Sequence, residues 1–158
     1  MRKISRHFLL MALVCGGAVK ADAADSLVPF TALVTSTCVL TVGTPGVLGA
    51  NSDFSVLSSS ASGGVAGTVS ALSTGTTFKV SAIAPTAFSI APDGGNTGVT
   101  FAATYSGTGS TSIGTTPGDT QSTLATGVTL LTVNLAATKS SGPFPGGAYT
   151  TEVTVRCE

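Results

Sequence analysis

From Val28 to Val42 apolar and polar side chains alternate. Val28, Phe30, Ala32, Val34, Cys38, Leu40 and Val42 share one parity, interrupted only by Ser36, while Pro29, Thr31, Leu33, Thr35, Thr37, Val39 and Thr41 occupy the other. A two-residue period is the signature of a half-buried strand. Most strands run to about five or six residues, so this segment carries more alternation than one strand uses. Shorter runs follow at Phe54–Leu57, Val65–Leu72, Thr77–Ala84, Ala87–Ile90, Val99–Tyr105, Gly127–Ala136 and Ala148–Cys157. Val99, Phe101, Ala103 and Tyr105 share a face, as do Tyr149, Thr151, Val153, Val155 and Cys157. Clusters of Gly, Pro, Asn and Asp separate the runs at 43–46, 62–64, 92–98, 107–118 and 140–147, too often for long helices. The pattern predicts a single all-β domain, an immunoglobulin-like antiparallel β-sandwich of about seven or eight strands, with a closed barrel as the alternative. The Ser/Thr/Gly-rich stretch 106–123 reads as a long exposed loop.

The first residues add a second message. Arg2, Lys3, Arg6 and His7 flank an apolar run over 8–19, and Ala21-Asp22-Ala23 follows. A basic head, a short apolar middle and a small-residue end describe a secretory signal over 1–23, cleaved after Ala23. The run is too short to span a bilayer as a helix, and the bulky Val14 beside Cys15 argues against a lipid anchor. Residues 24–158 keep three basic side chains, Lys79, Lys139 and Arg156, against Asp25, Asp53, Asp93, Asp119, Glu152 and Glu158, a net charge of −3. No basic patch remains to hold phosphates, so no nucleic-acid partner is expected. The abundance of Thr and Val suits pleated surfaces, and the scarcity of charge is a hint of assembly. Cys15 leaves with the signal, so Cys38 and Cys157 remain. An even count in an exported chain reads as one disulfide, which would contribute about 4–5 kcal/mol by closing a loop of nearly the whole domain. Two buried free thiols are the alternative.

The chain offers little for catalysis, and no enzyme is expected. His7 is the one histidine and lies in the signal, which excludes histidine as base or metal ligand in the exported part and with it a Ser-His-Asp or Cys-His site. Gly107, Gly109 and Gly114 miss the spacing of a dinucleotide-binding loop, and no helix follows them. Asp93, in Pro92-Asp93-Gly94-Gly95-Asn96, and Asp119, after Pro117-Gly118, sit in turn sequences, where a carboxylate bonds the turn backbone. Calcium needs more oxygen ligands than Asp93 and Asn96 supply, so neither a metal nor a cofactor is expected. Glu152 falls on the face opposite Tyr149 and Val153, toward solvent or an interface.

Two stretches carry a family resemblance. Phe30-Thr31-Ala32-Leu33-Val34-Thr35-Ser36-Thr37-Cys38-Val39-Leu40, followed by Gly46-Val47-Leu48-Gly49, resembles the start of bacterial pilin subunits, and more closely the spore coat protein U family, which includes subunits of archaic chaperone–usher pili. Gly147-Ala148-Tyr149-Thr150-Thr151-Glu152-Val153-Thr154-Val155 is similar to that family's closing strand, and Gly75-Thr76-Thr77-Phe78-Lys79-Val80 is a weaker match. The chain departs from the family in one respect. The first-strand cysteine of these proteins pairs with one in the second strand, but Val69-Ser70-Ala71-Leu72 contains none, which leaves Cys157 as the partner of Cys38.

The resemblance implies a fibre subunit that lacks its final strand and exposes an apolar groove between its first and last strands. A neighbour's N-terminal extension fills that groove, backbone hydrogen bonds giving affinity and alternate side chains giving register. On this reading residues 24–35 form a donor extension presenting Val28, Phe30, Ala32 and Val34, while Tyr149, Val153 and Val155 line the acceptor groove. The implied partners are other copies of the chain or related subunits, a periplasmic chaperone that protects the exposed edge and an outer-membrane usher. The implied location is the periplasm and the cell surface, as part of a fimbrium. Two alternatives stand beside it. Val28–Val42 could be one long strand bent across both sheets of a complete monomer, and such a monomer could be a secreted adhesin or binding module. A bridge needs Cα atoms within about 7 Å, whereas strands flanking one intervening strand lie about 9.6 Å apart. A Cys38–Cys157 bond therefore either joins the two sheets or closes the groove at its own level.

Overall fold

Residues 24–158 are described by a computed structural model; the expected export signal over 1–23 and its cleavage site lie outside the described residues. Ten strands form: β1 (Cys38–Val42), β2 (Gly49–Ala50), β3 (Val56–Ser58), β4 (Gly67–Ser73), β5 (Lys79–Ile83), β6 (Val99–Gly109), β7 (Ile113–Pro117), β8 (Ser122–Thr123), β9 (Gly127–Lys139) and β10 (Thr154–Cys157). Every pairing is antiparallel, and no helix forms among the described residues. The all-β antiparallel fold read from the alternation is the observed one, with ten strands rather than seven or eight, three of them only two or three residues long and β6 and β9 longer than the runs that predicted them.

The large sheet is organised around β9. Its odd positions, Thr129, Leu131, Val133, Leu135 and Ala137, are buried, while the even ones face outward, as a two-residue side-chain period requires. One edge of β9 pairs with β4 through residues 127–133 and with β3 through 136–138, and the other pairs with β6 along 129–139. β1 continues beyond β4, β2 beyond β3 and β7 beyond β6. The small sheet has the order β10-β5-β8. The inner faces meet in two clusters. One gathers Val69, Val80, Tyr105, Leu131 and their neighbours, and the other packs Phe88 and Phe144 on Leu57 and Ala137.

The two long sides of this sandwich differ. On the β7/β8 side the chain itself stitches the sheets together. The Gly118 amide donates to the Ala103 carbonyl of β6 and its carbonyl accepts from the Ala82 amide of β5, both at 2.8 Å. The Tyr105 ring, 1% exposed, crosses the interior. Its hydroxyl lies 2.8 Å from the Thr120 carbonyl, 3.0 Å from that of Val80 and 2.7 Å from Ser122 Oγ. On the β1/β10 side no backbone hydrogen bond crosses between the sheets among the described residues. The Cys38–Cys157 disulfide spans them there, with the Cα atoms 6.3 Å apart.

Three expectations are corrected. The alternation of Val28–Val42 yields a strand only at Cys38–Val42; residues 24–37 have no regular structure. The chain divides after Leu33, and in the described part of the first unit Leu27, Val28 and Phe30 stand exposed, Phe30 at 92%. The stretch 106–123 is not a long loop. It holds the end of β6, all of β7 and β8, and a short turn at 110–112. Finally, Ala87–Ile90 and residues 148–153 form no ladder; the bridge between them is Ile90–Thr150.

Candidate functional site

The open side is a groove of about 1050 Å³. Its floor is the inner face of the large sheet, where Leu57, Val69, Val133 and Leu135 show their side chains. One wall is the chain from Val42 to Leu48 and the other runs from Phe144 to Val155. Glu152 is the one charged residue along it, and its alternation with half-buried Thr151 and Val153 turns it outward. A slot of this size and character resembles an apolar ligand site, but its walls begin at the free edges of two strands, β1 at Val42 and β10 at Val155.

Each wall keeps unpaired backbone toward the slot. On the first, the Thr74 amide donates to the Thr37 carbonyl and the Gly43 amide to the Thr68 carbonyl. Odd residues of β1 thus point their amides and carbonyls at β4, and antiparallel alternation leaves those of Leu40 and Val42 on the free edge. Further along, Val47 and Val65 exchange both hydrogen bonds at 2.8 Å, which holds this wall to the start of β4. On the second wall, Glu158 and Lys79 exchange hydrogen bonds of 2.8 and 3.0 Å, so even residues face β5. Thr150 keeps the same parity through Ser89 and Ile90. Within β10 the same alternation leaves the backbone groups of Val155 on the free edge, toward the groove.

The far end is plugged by aromatic rings. Phe88 meets Phe101, Phe144 and Tyr149 edge-on, with centroids 4.9, 6.0 and 4.8 Å away, an arrangement that suits ring quadrupoles. The Tyr149 hydroxyl donates to the Pro145 carbonyl at 2.7 Å, and burial pushes its phenol up from the ordinary value. Phe54 stands at this end with a φ of 56°, a left-handed backbone uncommon for a bulky residue. The turn that holds it is tied twice: the Asn51 side chain accepts from the Val56 amide at 3.0 Å, and Asp53 accepts from the Ser55 hydroxyl and amide at 2.7 and 3.1 Å. Those two bonds lower the Asp53 pKa, the hydroxyl more than the amide.

The predicted acceptor residues Tyr149, Val153 and Val155 all line this groove. The predicted donor residues Val28, Phe30 and Val34 are exposed, as is Ala32. Cys38 and Cys157 are joined, and their bond takes the first of the two expected forms, linking an edge strand of one sheet to an edge strand of the other. The sequence missed the floor and the wall from Val42 to Leu48. The runs at 65–72 and 127–136 signalled strands, but only the pairing order shows that Val69, Val133 and Leu135 also line this groove. Asn96 is occupied elsewhere, its side chain exchanging two hydrogen bonds with the Phe88 backbone at 2.8 and 3.1 Å. Among the described residues no three His, Cys, Asp or Glu side chains gather as a metal would require. A scan against protein-family models, a search of curated proteins and a search of solved structures each find no match for this chain.

Proposed function

We propose that this chain is a structural subunit of a secreted surface fibre, of the kind formed by the spore coat protein U family and archaic chaperone–usher pilins, and that it polymerises by donor-strand complementation. The observation that carries the reading is the groove: a largely apolar slot, its one charged lining residue Glu152 turned outward, whose two walls present unpaired strand backbone at Val42 and Val155. Such a slot accepts an extended segment, which satisfies the backbone groups and buries alternate side chains. The chain carries a segment of matching form. Residues 28–34 place four apolar side chains on one parity, and the wall from Tyr149 to Val155 offers four inward positions at 149, 151, 153 and 155.

The occupant is a second copy of the chain, contributing Val28, Phe30, Ala32 and Val34. Each Val or Phe buried adds about 1.5–3 kcal/mol. Because donor and acceptor are different surfaces, the contact is head-to-tail and builds an open filament rather than a closed dimer. A periplasmic chaperone would cover the slot beforehand, since an open edge invites wrong pairing. The complete-monomer alternative places Phe30 in the protein's own core. Phe30→Asp tests the reading by setting a charge where desolvation is costly. With a chaperone present, wild type should form oligomers by size-exclusion chromatography, while the variant stays a monomer with an unchanged melting temperature. Normal oligomers from the variant, or a wild-type monomer that is stable and never assembles, would overturn it.

A further inference from the structure

We propose that Thr74 is the positioning residue of the joint between successive subunits: it holds residues 35–37 on their own domain, so that no free linker separates that domain from the neighbour whose groove takes residues 28–34. The inference rests on the donor-strand reading above. Residues 34–37 form no strand, yet the chain divides into its two units between Leu33 and Val34 and leaves them with the sandwich. Something other than a ladder keeps them there.

Thr74 directly follows β4 and stands one step beyond the Cys38–Ser73 pair. Its amide donates to the Thr37 carbonyl at 2.9 Å. A hydrogen-bonded antiparallel pair would return a bond from the Thr37 amide to the Thr74 carbonyl. Here the Thr37 amide donates to Thr74 Oγ1 instead, at 2.7 Å. A hydroxyl accepts and donates at once. This one also lies 3.2 Å from the Thr35 carbonyl and 3.3 Å from that of Thr37, and Thr37 Oγ1, 3.1 Å away, can donate to it in turn. The Thr37 carbonyl is already served by the Thr74 amide, so the hydroxyl proton goes to Thr35. One side chain thereby grips two residues of the incoming chain beyond the end of the ladder.

The turn beneath is shaped for this contact. Gly75 is bare where Ser36 crosses it: a Cβ there would stand 3.0 Å from Ser36 Oγ and 3.2 Å from Ser36 Cβ. The hydroxyl of buried Ser73 donates to the Gly75 carbonyl at 2.5 Å and holds the turn. Ser36 is also the residue that interrupts the apolar parity of Val28–Val42. The interruption marks a boundary: Val34 is the last apolar side chain offered to the neighbour, and Ser36 stays on its own domain.

In a filament, the residues between the inserted segment and β1 set how freely one domain moves on the next. Each unheld residue adds two soft dihedrals, and three of them add about 10 Å of extended chain. With 35–37 held, no residue lies free between Val34, in the neighbour's groove, and Thr35, on its own domain.

Fibres of the full chain, released from chaperone and imaged by electron microscopy, report the joint as a persistence length. Thr74→Val keeps the shape of the side chain and loses its hydroxyl; it should assemble and give fibres of shorter persistence length. Thr74→Ser keeps the hydroxyl and should match wild type, which a role in packing alone would not predict. In the monomeric Phe30→Asp chain, the Thr37 amide should exchange about fivefold more slowly than in an unstructured chain, the protection that one net hydrogen bond gives. Adding Thr74→Val should abolish that protection. Folded Thr74→Val chains whose fibres are as stiff as wild type, or that form no fibres, overturn the assignment, and so does a Thr74→Ser chain as flexible as Thr74→Val. Exchange of the Thr37 amide at the unstructured rate in Phe30→Asp overturns it without any change at Thr74, so a Thr74→Val chain that does not fold leaves that measurement to decide. Failure of the wild-type chain to assemble overturns the donor-strand reading instead, which keeps the two failures distinct.

Discussion

Gly118 should be among the least replaceable residues of this chain. It carries the backbone from the large sheet to the small one with a hydrogen bond to each, both 2.8 Å. A Cβ there would collide with the Ala82 carbonyl oxygen and would lie 3.0 Å from Ala103 Cβ and 3.1 Å from the Ala103 carbonyl oxygen. These obstacles are backbone or the first atom of a side chain, so relief requires the sheets to part or the stitch to break. Overpacking of this kind costs about 1–3 kcal/mol, and weakening two hydrogen bonds adds about 1 kcal/mol each. Gly118→Ala is therefore expected to lose about 3–5 kcal/mol, a fall in Tm on the order of 10–20 °C for a domain of this size. Gly114 is an internal control, because a Cβ there meets nothing within 4 Å. Gly114→Ala should be neutral or stabilising by up to about 1 kcal/mol. Urea unfolding followed by circular dichroism at pH 7 measures both. If Gly118→Ala unfolds within about 0.5 kcal/mol of wild type, an ordinary value for a surface change, the stitch does not hold the sheets together.

Two further outcomes follow from named contacts. Tyr105→Phe removes a buried hydroxyl that bonds the backbone on the small-sheet side and leaves the Thr120 carbonyl without that donor, so it should cost about 1–3 kcal/mol in urea unfolding, and a loss below about 0.5 kcal/mol would contradict this role. Asp53 has a folded pKa below its ordinary 3.8, set first by the Ser55 hydroxyl and then by the Ser55 amide; its contribution to the turn is complete above that ordinary value and is lost as pH falls through the lowered one. Hydrogen exchange at the Ser55 amide, corrected for intrinsic rate, should then lose protection on acidification in wild type but show no such step in Asp53→Asn.

Some of this architecture was legible in the residues and some was not, for identifiable reasons. The inward faces of β6 and β10 followed from parity alone, because Val99, Phe101, Ala103 and Tyr105, and again Val153, Val155 and Cys157, repeat every second residue. The disulfide followed from counting cysteines. The error over 106–123 came from reading glycine and hydroxyl residues as loop formers. Gly107 is instead a packing residue, since a Cβ there would press to 3.0 Å from Ile113 Cδ1 and 3.1 Å from Thr129 Cγ2. The surplus alternation of Val28–Val42 was visible, but alternation records which side chains share a face, not whether a partner strand exists. For the same reason Val69, Val133 and Leu135 read as ordinary core, although they floor an open slot. Whether an inner face is covered depends on which strands end up adjacent, and no local pattern encodes that.

The central claim is that the groove of one copy takes residues 28–34 of another, and mixing two defective subunits tests it most directly. Phe30→Asp spoils the donor and keeps the groove; Val153→Asp spoils the groove wall and keeps the donor. Neither should assemble alone. Mixed after release from chaperone, they should give a one-to-one heterodimer by native mass spectrometry and nothing larger, because one good donor meets one good groove and the remaining pair is spoiled on both sides. Higher oligomers from either variant alone, or two folded variants that fail to pair when mixed, would contradict the account.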